Sequence, residues 1–185
     1  RVGQIRGRCA AEYPGVEWIG CCDIDEGRAK AVAEELGADF YCTDYKELLG
    51  RSEVNAAVLA TDENEHAGTL WAAIEHGHSI LVEKPLATNV VESAGIVEAA
   101  DKAGVDLLVG YTQRFRRRWL TAREQVAQGM LGDITSATTR AFLNGLTGPT
   151  RLEANEDRSR LTPMVVSGTH ALDVIFWVLG EGKKP

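Results

Sequence analysis

The sequence has few of the features that mark membrane, secreted or nucleic-acid-binding proteins. No apolar run approaches the roughly 20 residues that a membrane-spanning helix needs, and no signal-peptide pattern opens the chain. Basic residues are in deficit, since 20 Lys and Arg stand against 27 Asp and Glu and leave a net charge of −7. An acidic protein is poorly suited to a polyanion. We therefore expect a soluble, cytoplasmic protein that binds neither membrane nor nucleic acid.

Cysteine is also scarce, with four residues in 185. Cys9, Cys21, Cys22 and Cys42 match no zinc-ligand spacing, and the adjacent pair would point to opposite faces of a strand. We interpret all four as reduced thiols that pack in the interior, and we predict no metal site.

What the sequence does contain is an alternation of strand and helix patterns. Strands are predicted over 16–23, 54–60, the residues ending at 83, and 105–109; helices are predicted over 4–13, 26–36, 45–49, 67–75 and 91–103. This rhythm predicts an α/β fold, a doubly wound parallel Rossmann sheet. Right-handed crossovers then bring the carboxyl ends of all the strands to one edge.

Polar side chains follow the predicted strands at that edge. They are Asp23, then Thr61, Asp62 and His66, then Glu83 and Lys84, and finally Tyr111, Gln113 and Arg114. Ligands of open α/β sheets bind just beyond the carboxyl ends of the strands. The pattern therefore predicts a binding site, within which Pro85 would hold Lys84 in an extended conformation.

Gly3 and Asp23 have the spacing of a dinucleotide-binding fingerprint. Asp23 ends a predicted strand 20 residues after Gly3, where an acid that binds a ribose hydroxyl is expected. If Gly3 is the third glycine of G-x-G-x-x-G, the first strand and two glycines precede residue 1. The alternative is that Asp23 caps the helix over 26–36.

After residue 115 the pattern changes. A helix is predicted over 116–130, an alternating strand over 134–143, a loop over 146–163 that would cover the site, and an apolar helix over 170–179. We expect residues 1–115 to form the dinucleotide-binding domain and 116–185 to begin an α/β substrate domain, with further chain beyond both ends. The basic run 114–118 is interpreted as a solvated face with one anion-binding residue, Arg114, rather than as a nucleic-acid surface.

The order of these motifs resembles the Gfo/Idh/MocA oxidoreductase family. The motifs are Gly3 with Asp23, Thr61 with His66, Glu83-Lys84-Pro85, Tyr111 with Arg114, Gly132-Asp133-Ile134, and Gly168-Thr169-His170 with Asp173. The resemblance implies an NAD-binding Rossmann domain, with NADP also possible, followed by an open mixed sheet. It further implies hydride transfer at a carbinol carbon of a sugar, cyclitol or related polyol, and a homo-oligomer formed through the second domain's sheet.

The resemblance also implies roles for individual residues. Lys84 and His170 would be catalytic, and Asp173 would hold His170 or the substrate, with Lys84, His170 and Arg114 as further substrate contacts. The cofactor contacts would be Gly3, Asp23, Thr61, Asp62, His66, Glu83, Lys84 and Arg114. Many members carry an aspartate four residues before the histidine, where this chain has Val166.

The chemistry of these side chains suits the implied reaction. Oxidation of an alcohol needs a base, and the imidazole of His170 can accept or donate a proton near neutral pH. Lys84, near a positively charged nicotinamide, would be pushed toward its neutral form or would stabilise a developing alkoxide. We expect the two side chains to face each other across the substrate. Structural roles are the alternatives for both His66 and His170, and a non-catalytic sensor that binds nucleotide is the alternative for the protein.

Overall fold

The computed structural model describes residues 2–140, 162, 164 and 168–180. The chain divides into two compact units, Arg1–Val109 and Gly110–Pro185. The helices of the first unit are α1 (Val2–Ala11), α2 (Glu26–Leu36), α3 (Tyr45–Leu49), α4 (His66–Glu75, preceded by a 3-10 turn, Glu63–Glu65) and α5 (Val90–Ala103). Its strands are β1 (Gly20–Cys22), β2 (Phe40–Cys42), β3 (Ala56–Leu59), β4 (Ser79–Val82) and β5 (Leu107–Val109).

All five strands pair in parallel. β1 pairs with β2, and β3, β4 and β5 form a second sheet in that order, with Leu59 opposite Val82 and Val82 opposite Val109. In the doubly wound order 3-2-1-4-5-6, β2 and β1 take the positions 3 and 2, and β3 to β5 take 4 to 6. The predicted Rossmann architecture is confirmed, and among the described residues no strand pairs between β1 and β3.

The core of the first unit lies on one face of the three-stranded sheet. Alternate residues of β3 and β4 are buried there, and α4 and α5 pack with them. Leu70, Val82 and Ile96 are completely buried. Each such side chain contributes roughly 1.5–3 kcal/mol relative to exposure, so this layer holds the strand ends in place.

Local signals set the helix boundaries. The Asp25 carboxylate accepts from the Arg28 backbone N–H at 2.8 Å, and the Asn89 side chain accepts from the Glu92 N–H at 2.8 Å, so these residues cap α2 and α5. Both helices end at a left-handed glycine, and Gly37 has φ of 65°. The cap of α2 is therefore Asp25, and the alternative role for Asp23 is wrong.

Among its described residues, the second unit has a 3-10 turn (Thr112–Phe115) and two helices, α6 (Arg117–Ala127) and α7 (Thr169–Leu179). The helices pack together, with the Arg123 guanidinium 4.6 Å from the ring centre of Trp177 and Val126 and Val174 buried. Leu172 lies within the predicted apolar helix but is 42% exposed, because it lies on the side of α7 away from the buried Val174.

The structure differs from the predictions at three places: one strand was not predicted, and two predictions are wrong. The short strand β2 was not predicted, since three residues are too few for a periodic pattern. Residues 134–140 of the predicted strand over 134–143 adopt no regular structure, because no described strand lies beside them to complete a ladder; residues 141–143 lie outside the described residues, as do most of the predicted loop over 146–163 and Val166. Cys9 is exposed on α1 and does not pack in the interior as predicted.

Two further findings concern the described residues as a set. None of their helices is long and apolar enough to cross a membrane. All four cysteines are free thiols, and burial, together with the neighbouring Cys42, raises the pKa of Cys22 to about 12.

Candidate active site

Gly3 lies where the first turn of α1 passes close to the end of β3. A Cβ atom at this position would approach the Cβ of Ala60 to 3.3 Å, which is tighter than ordinary van der Waals contact. A larger side chain would therefore push the helix away from the strand. This close packing of helix and strand is the task of the third glycine in a dinucleotide-binding turn, so the surroundings of Gly3 fit its predicted role.

Asp23 follows β1 directly, and its carboxylate receives several donors. Nη2 of Arg28 donates to Oδ1 at 2.8 Å, and the Asp25 backbone N–H donates to the same oxygen at 2.9 Å. The hydrogen bonds from Arg28, assisted by that N–H, lower the pKa of Asp23. The Asp23 side chain is 37% exposed, so the ionised carboxylate is accessible to a ligand hydroxyl as well as to Arg28.

Glu83 and Lys84 follow β4, as predicted. The Glu83 backbone N–H donates to the Leu59 carbonyl at 2.9 Å, which ties the end of β4 to β3. The Glu83 carboxylate forms an ion pair with Arg6 of α1, and both side chains are largely buried. Lys84 is half-buried and its peptide bond to Pro85 is cis. Glu83 thus joins α1 to the strand end that carries Lys84.

His66 is buried at the start of α4, with 1% of its surface exposed. Its Nδ1 lies 2.7 Å from the Pro85 carbonyl oxygen, and its Nε2 lies 3.2 Å from that of Thr61. The ring therefore joins the segments that follow β3 and β4. Thr61 and Asp62 are exposed beside it. Direct contact of His66 with a cofactor remains a prediction, and the geometry gives the ring a positioning role.

The second unit has its own polar cluster, made by Tyr111, Arg114, His170 and Asp173. Nε of Arg114 donates to Oδ2 of Asp173 at 2.9 Å and to Oδ1 at 3.1 Å, and Nη2 also contacts Oδ1. The Asp173 side chain is only 7% exposed, against 41% for Arg114. The carboxylate that was assigned to His170 or the substrate is thus held by an arginine; its predicted ligand role remains a prediction.

The Tyr111 ring contacts both His170 and Arg114. It meets the His170 ring edge to face, with the centres 6.0 Å apart, and the Arg114 guanidinium carbon is 5.7 Å from the Tyr111 ring centre. Burial raises the pKa of Tyr111, and the nearby Asp173 adds to this effect. Its hydroxyl group is therefore neutral at physiological pH.

Sequence reasoning missed one member of the first unit's site and the pairing in the second. Arg6 stands three residues after Gly3 on α1, so both lie on one helix face, and this spacing was the available signal. Arg114 was predicted as a ligand contact, but nothing in the sequence marks Asp173, 59 residues away, as its partner. Among the described residues, no group of three or more His, Cys, Asp or Glu side chains could hold a metal ion.

Comparison with protein families gives a match over residues 2–111 to a family described as "Oxidoreductase family, NAD-binding Rossmann fold". An inositol 2-dehydrogenase of Salmonella paratyphi B is 27% identical over 96% of this chain and 51% of its own length. A D-xylose 1-dehydrogenase (NADP(+)) of Haloferax volcanii is 32% identical over 78% of this chain and 42% of its own. The chain therefore spans about half of the inositol dehydrogenase that it matches.

Solved structures give the same fold. A scyllo-inositol dehydrogenase of Lactobacillus casei, determined with bound NAD(H) and scyllo-inositol, superimposes with a TM-score of 0.81. The superposition covers 96% of this chain and 53% of that structure, at 18% identity. At this identity the likeness establishes the fold alone, and the chemistry must be argued from the residues described above.

Proposed function

Because the chain belongs to the Gfo/Idh/MocA oxidoreductase family, we propose that its protein transfers a hydride between a nicotinamide cofactor and a carbinol carbon. The substrate class is a sugar, cyclitol or related polyol, since the relatives above are named for inositol and xylose. We further propose that residues 1–115 form the cofactor domain and residues 116–185 begin the substrate domain, although the compact units of the structure divide after Val109.

The observation that carries the proposal is the placement of Glu83-Lys84 at the end of β4, the middle strand of a parallel three-stranded sheet. Such strand ends are where α/β sheets bind ligands. Three contacts support that segment: the ion pair from Arg6, the backbone hydrogen bond to Leu59 and the ring of His66. Because these contacts hold Glu83 and Pro85, the two neighbours of Lys84, the backbone that carries the lysine is pre-organised for a bound substrate.

The residues of the first unit fit a dinucleotide. Gly3 gives the close packing of α1 on β3 that the pyrophosphate turn requires, and the accessible carboxylate of Asp23 suits a ribose hydroxyl. Thr61, Asp62, Glu83 and Lys84 would complete the contacts on the nicotinamide side, with His66 supporting them. When bound, the nicotinamide supplies or accepts the hydride.

The proton is assigned to this chain's own side chains. In the oxidative direction, His170 accepts the hydroxyl proton through an imidazole nitrogen, and in the reductive direction it returns that proton. The Lys84 ammonium stabilises negative charge as it develops on the substrate oxygen. For this role Lys84 and His170 must meet at one hydroxyl group, and a crystal structure with their side chains more than about 12 Å apart would contradict the assignment.

The test is absorbance of reduced nicotinamide, with the full-length protein and a panel of polyols and sugars. Lys84→Ala and His170→Ala should each lower kcat by roughly 10²–10⁴-fold, while NAD affinity stays within a few-fold in a titration. Lys102→Ala and His76→Ala are the matched controls, since both residues are exposed and lie outside the site. Tight NAD binding without turnover of any polyol would instead support a sensor.

A further inference from the structure

We propose that Arg114 is a positioning residue of the second unit, which fixes the Asp173 carboxylate and, through Tyr111, the ring of His170. The inference rests on the proposed function, because it assigns to Arg114 a task in the reaction of His170. Its basis is the contact between the two side chains: Nε of Arg114 donates to both carboxylate oxygens of Asp173, and Nη2 of Arg114 also contacts Oδ1.

The two partners are unequally buried, and this decides which of them depends more on the other. Asp173 is 7% exposed, whereas Arg114 is 41% exposed. A carboxylate removed from water must be matched by donors, and loss of its partner leaves an uncompensated buried charge. Arg114 keeps part of its own hydration. Asp173 therefore depends on Arg114 much more than Arg114 depends on Asp173.

The planar guanidinium also fixes the angle of the carboxylate. Two parallel N–H donors restrain the rotation of the Asp173 side chain, which a single ammonium group cannot do. Asp173 stands three residues after His170 on α7, so both side chains leave the same face of the helix. An arginine that fixes one of them thereby fixes the polar face of α7.

Tyr111 carries the restraint to His170. Its ring lies under the Arg114 guanidinium and meets the His170 ring at 86°, an edge-to-face arrangement. Movement of Arg114 would remove the support on one side of this ring. The imidazole of His170 would then sample orientations from which it cannot exchange a proton with a substrate hydroxyl.

On this proposal Asp173 does not itself transfer the proton. Its two oxygens accept hydrogen bonds from Arg114, so we assign it to orienting the site and leave the proton to His170. Arg114→Lys keeps the charge but loses the planar pair of donors. If positioning is the task, this substitution should lower kcat roughly tenfold and change KM by less than about threefold, because orientation matters most in the transition state.

The experiment is a double-mutant cycle on the full-length protein with Arg114→Gln, Asp173→Asn and the double variant. Arg114→Gln alone should lower Tm by about 5 °C or more, because it leaves the carboxylate buried and unpaired. The double variant should recover at least half of that loss, because both partners are then neutral. In kcat, the two single losses should not multiply in the double variant.

Arg118→Gln is the matched control. Arg118 also lies over an aromatic ring, 5.2 Å from the centre of Trp119, and is exposed and bonded to Gln113. The Arg118→Gln substitution should leave kcat and its pH profile unchanged. Arg114→Lys should lower kcat at every pH, without shifting the part of the pH profile that is assigned to His170.

The outcomes are distinguishable. Additive effects of the single substitutions on Tm and kcat, or a full-rate Arg114→Lys variant, would overturn the inference. Wild-type protein that turns over no polyol would defeat the proposed function instead. The thermal cycle would still decide whether Arg114 and Asp173 are coupled, since it needs no turnover.

Discussion

The two units hold their polar residues in place by different means. In the first unit, Asp23, Glu83 and Lys84 follow strands whose backbones are paired in parallel ladders, and a layer of buried side chains supports the larger sheet. In the second unit, Arg114 lies in a 3-10 turn and Asp173 on α7, and the described residues there form no strand. Backbone pairing positions the first set, with the Arg6–Glu83 ion pair as a further support. The second set is positioned by a side-chain ion pair, with no strand among the described residues of that unit.

The Asp23–Arg28 pair of the first unit and the Arg114–Asp173 pair of the second unit differ in burial. Asp23 and Arg28 are 37% and 60% exposed, whereas Asp173 is only 7% exposed. An exposed pair contributes little to stability, because water already solvates both charges. A buried acid without its partner is strongly destabilising. The first unit should therefore tolerate the loss of Arg28 better than the second unit tolerates the loss of Arg114.

The largest expected effect comes from the buried layer that packs against the three-stranded sheet of the first unit. Leu70→Ala removes a side chain of α4 with no exposed surface and should lower the free energy of unfolding by about 2–5 kcal/mol, the lost transfer energy plus a cavity. Urea denaturation followed by circular dichroism measures the change.

Leu120→Ala is the control for that substitution. Leu120 is also a helical leucine, on α6 of the second unit, but it is 48% exposed. Its replacement should cost less than about 1 kcal/mol, as surface substitutions usually do. Equal losses for the two variants would mean that the difference between the units does not lie in their packing.

Much of the first unit could be predicted from the sequence because its signals are local. Gly37 and Gly104 end helices where the apolar periodicity stops, and both take the left-handed conformation that glycine allows. The order of the polar residues along the strand ends follows from right-handed crossovers. Asp25, the cap of α2, was not predicted; the sequence analysis considered only Asp23, another acid near the start of this helix.

What could not be predicted depends on residues that are distant in the sequence. Arg6 reaches Glu83 across 77 residues and Arg114 reaches Asp173 across 59, and neither distance appears in any periodic pattern. The alternation over 134–143 predicted a strand, yet a strand exists only when a neighbour accepts its hydrogen bonds. Local propensity indicates where a strand can form, but a strand forms only where a neighbouring strand pairs with its backbone.

The next effect concerns the accessible acid of the first unit. We expect NAD to bind more tightly than NADP, since Asp23 accepts from a free ribose hydroxyl and repels a phosphate. Asp23→Ala should weaken NAD binding by about 10–100-fold, because one charged hydrogen bond is lost. It should also reduce the preference for NAD over NADP. Titration of both cofactors, read by nicotinamide fluorescence or calorimetry, measures it.

Asp106→Ala controls for the removal of a negative charge. Asp106 is an exposed acid just before β5, at the amino end of that strand, whereas the site lies at the carboxyl ends of the strands. The substitution should leave the ratio of the two affinities unchanged. Tighter binding of NADP by the wild-type protein would contradict the assignment of Asp23 and would favour Arg28 as a phosphate contact.

The smallest expected effect is the pH dependence of the exposed Asp23–Arg28 pair. Arg28 lowers the pKa of Asp23 in the folded state, so the pair adds stability above the unfolded pKa of about 3.9. That stability is lost as the pH falls through the lower folded value. Arg28→Gln should therefore lower the stability only slightly at pH 6, and its difference from wild type should shrink below about pH 4. Urea unfolding at several pH values measures this difference, and 0.5 M NaCl should reduce it. Arg117→Gln, an exposed arginine of the second unit, should show no matching trend; a difference for Arg28→Gln that grows toward low pH would show that the pair destabilises the fold.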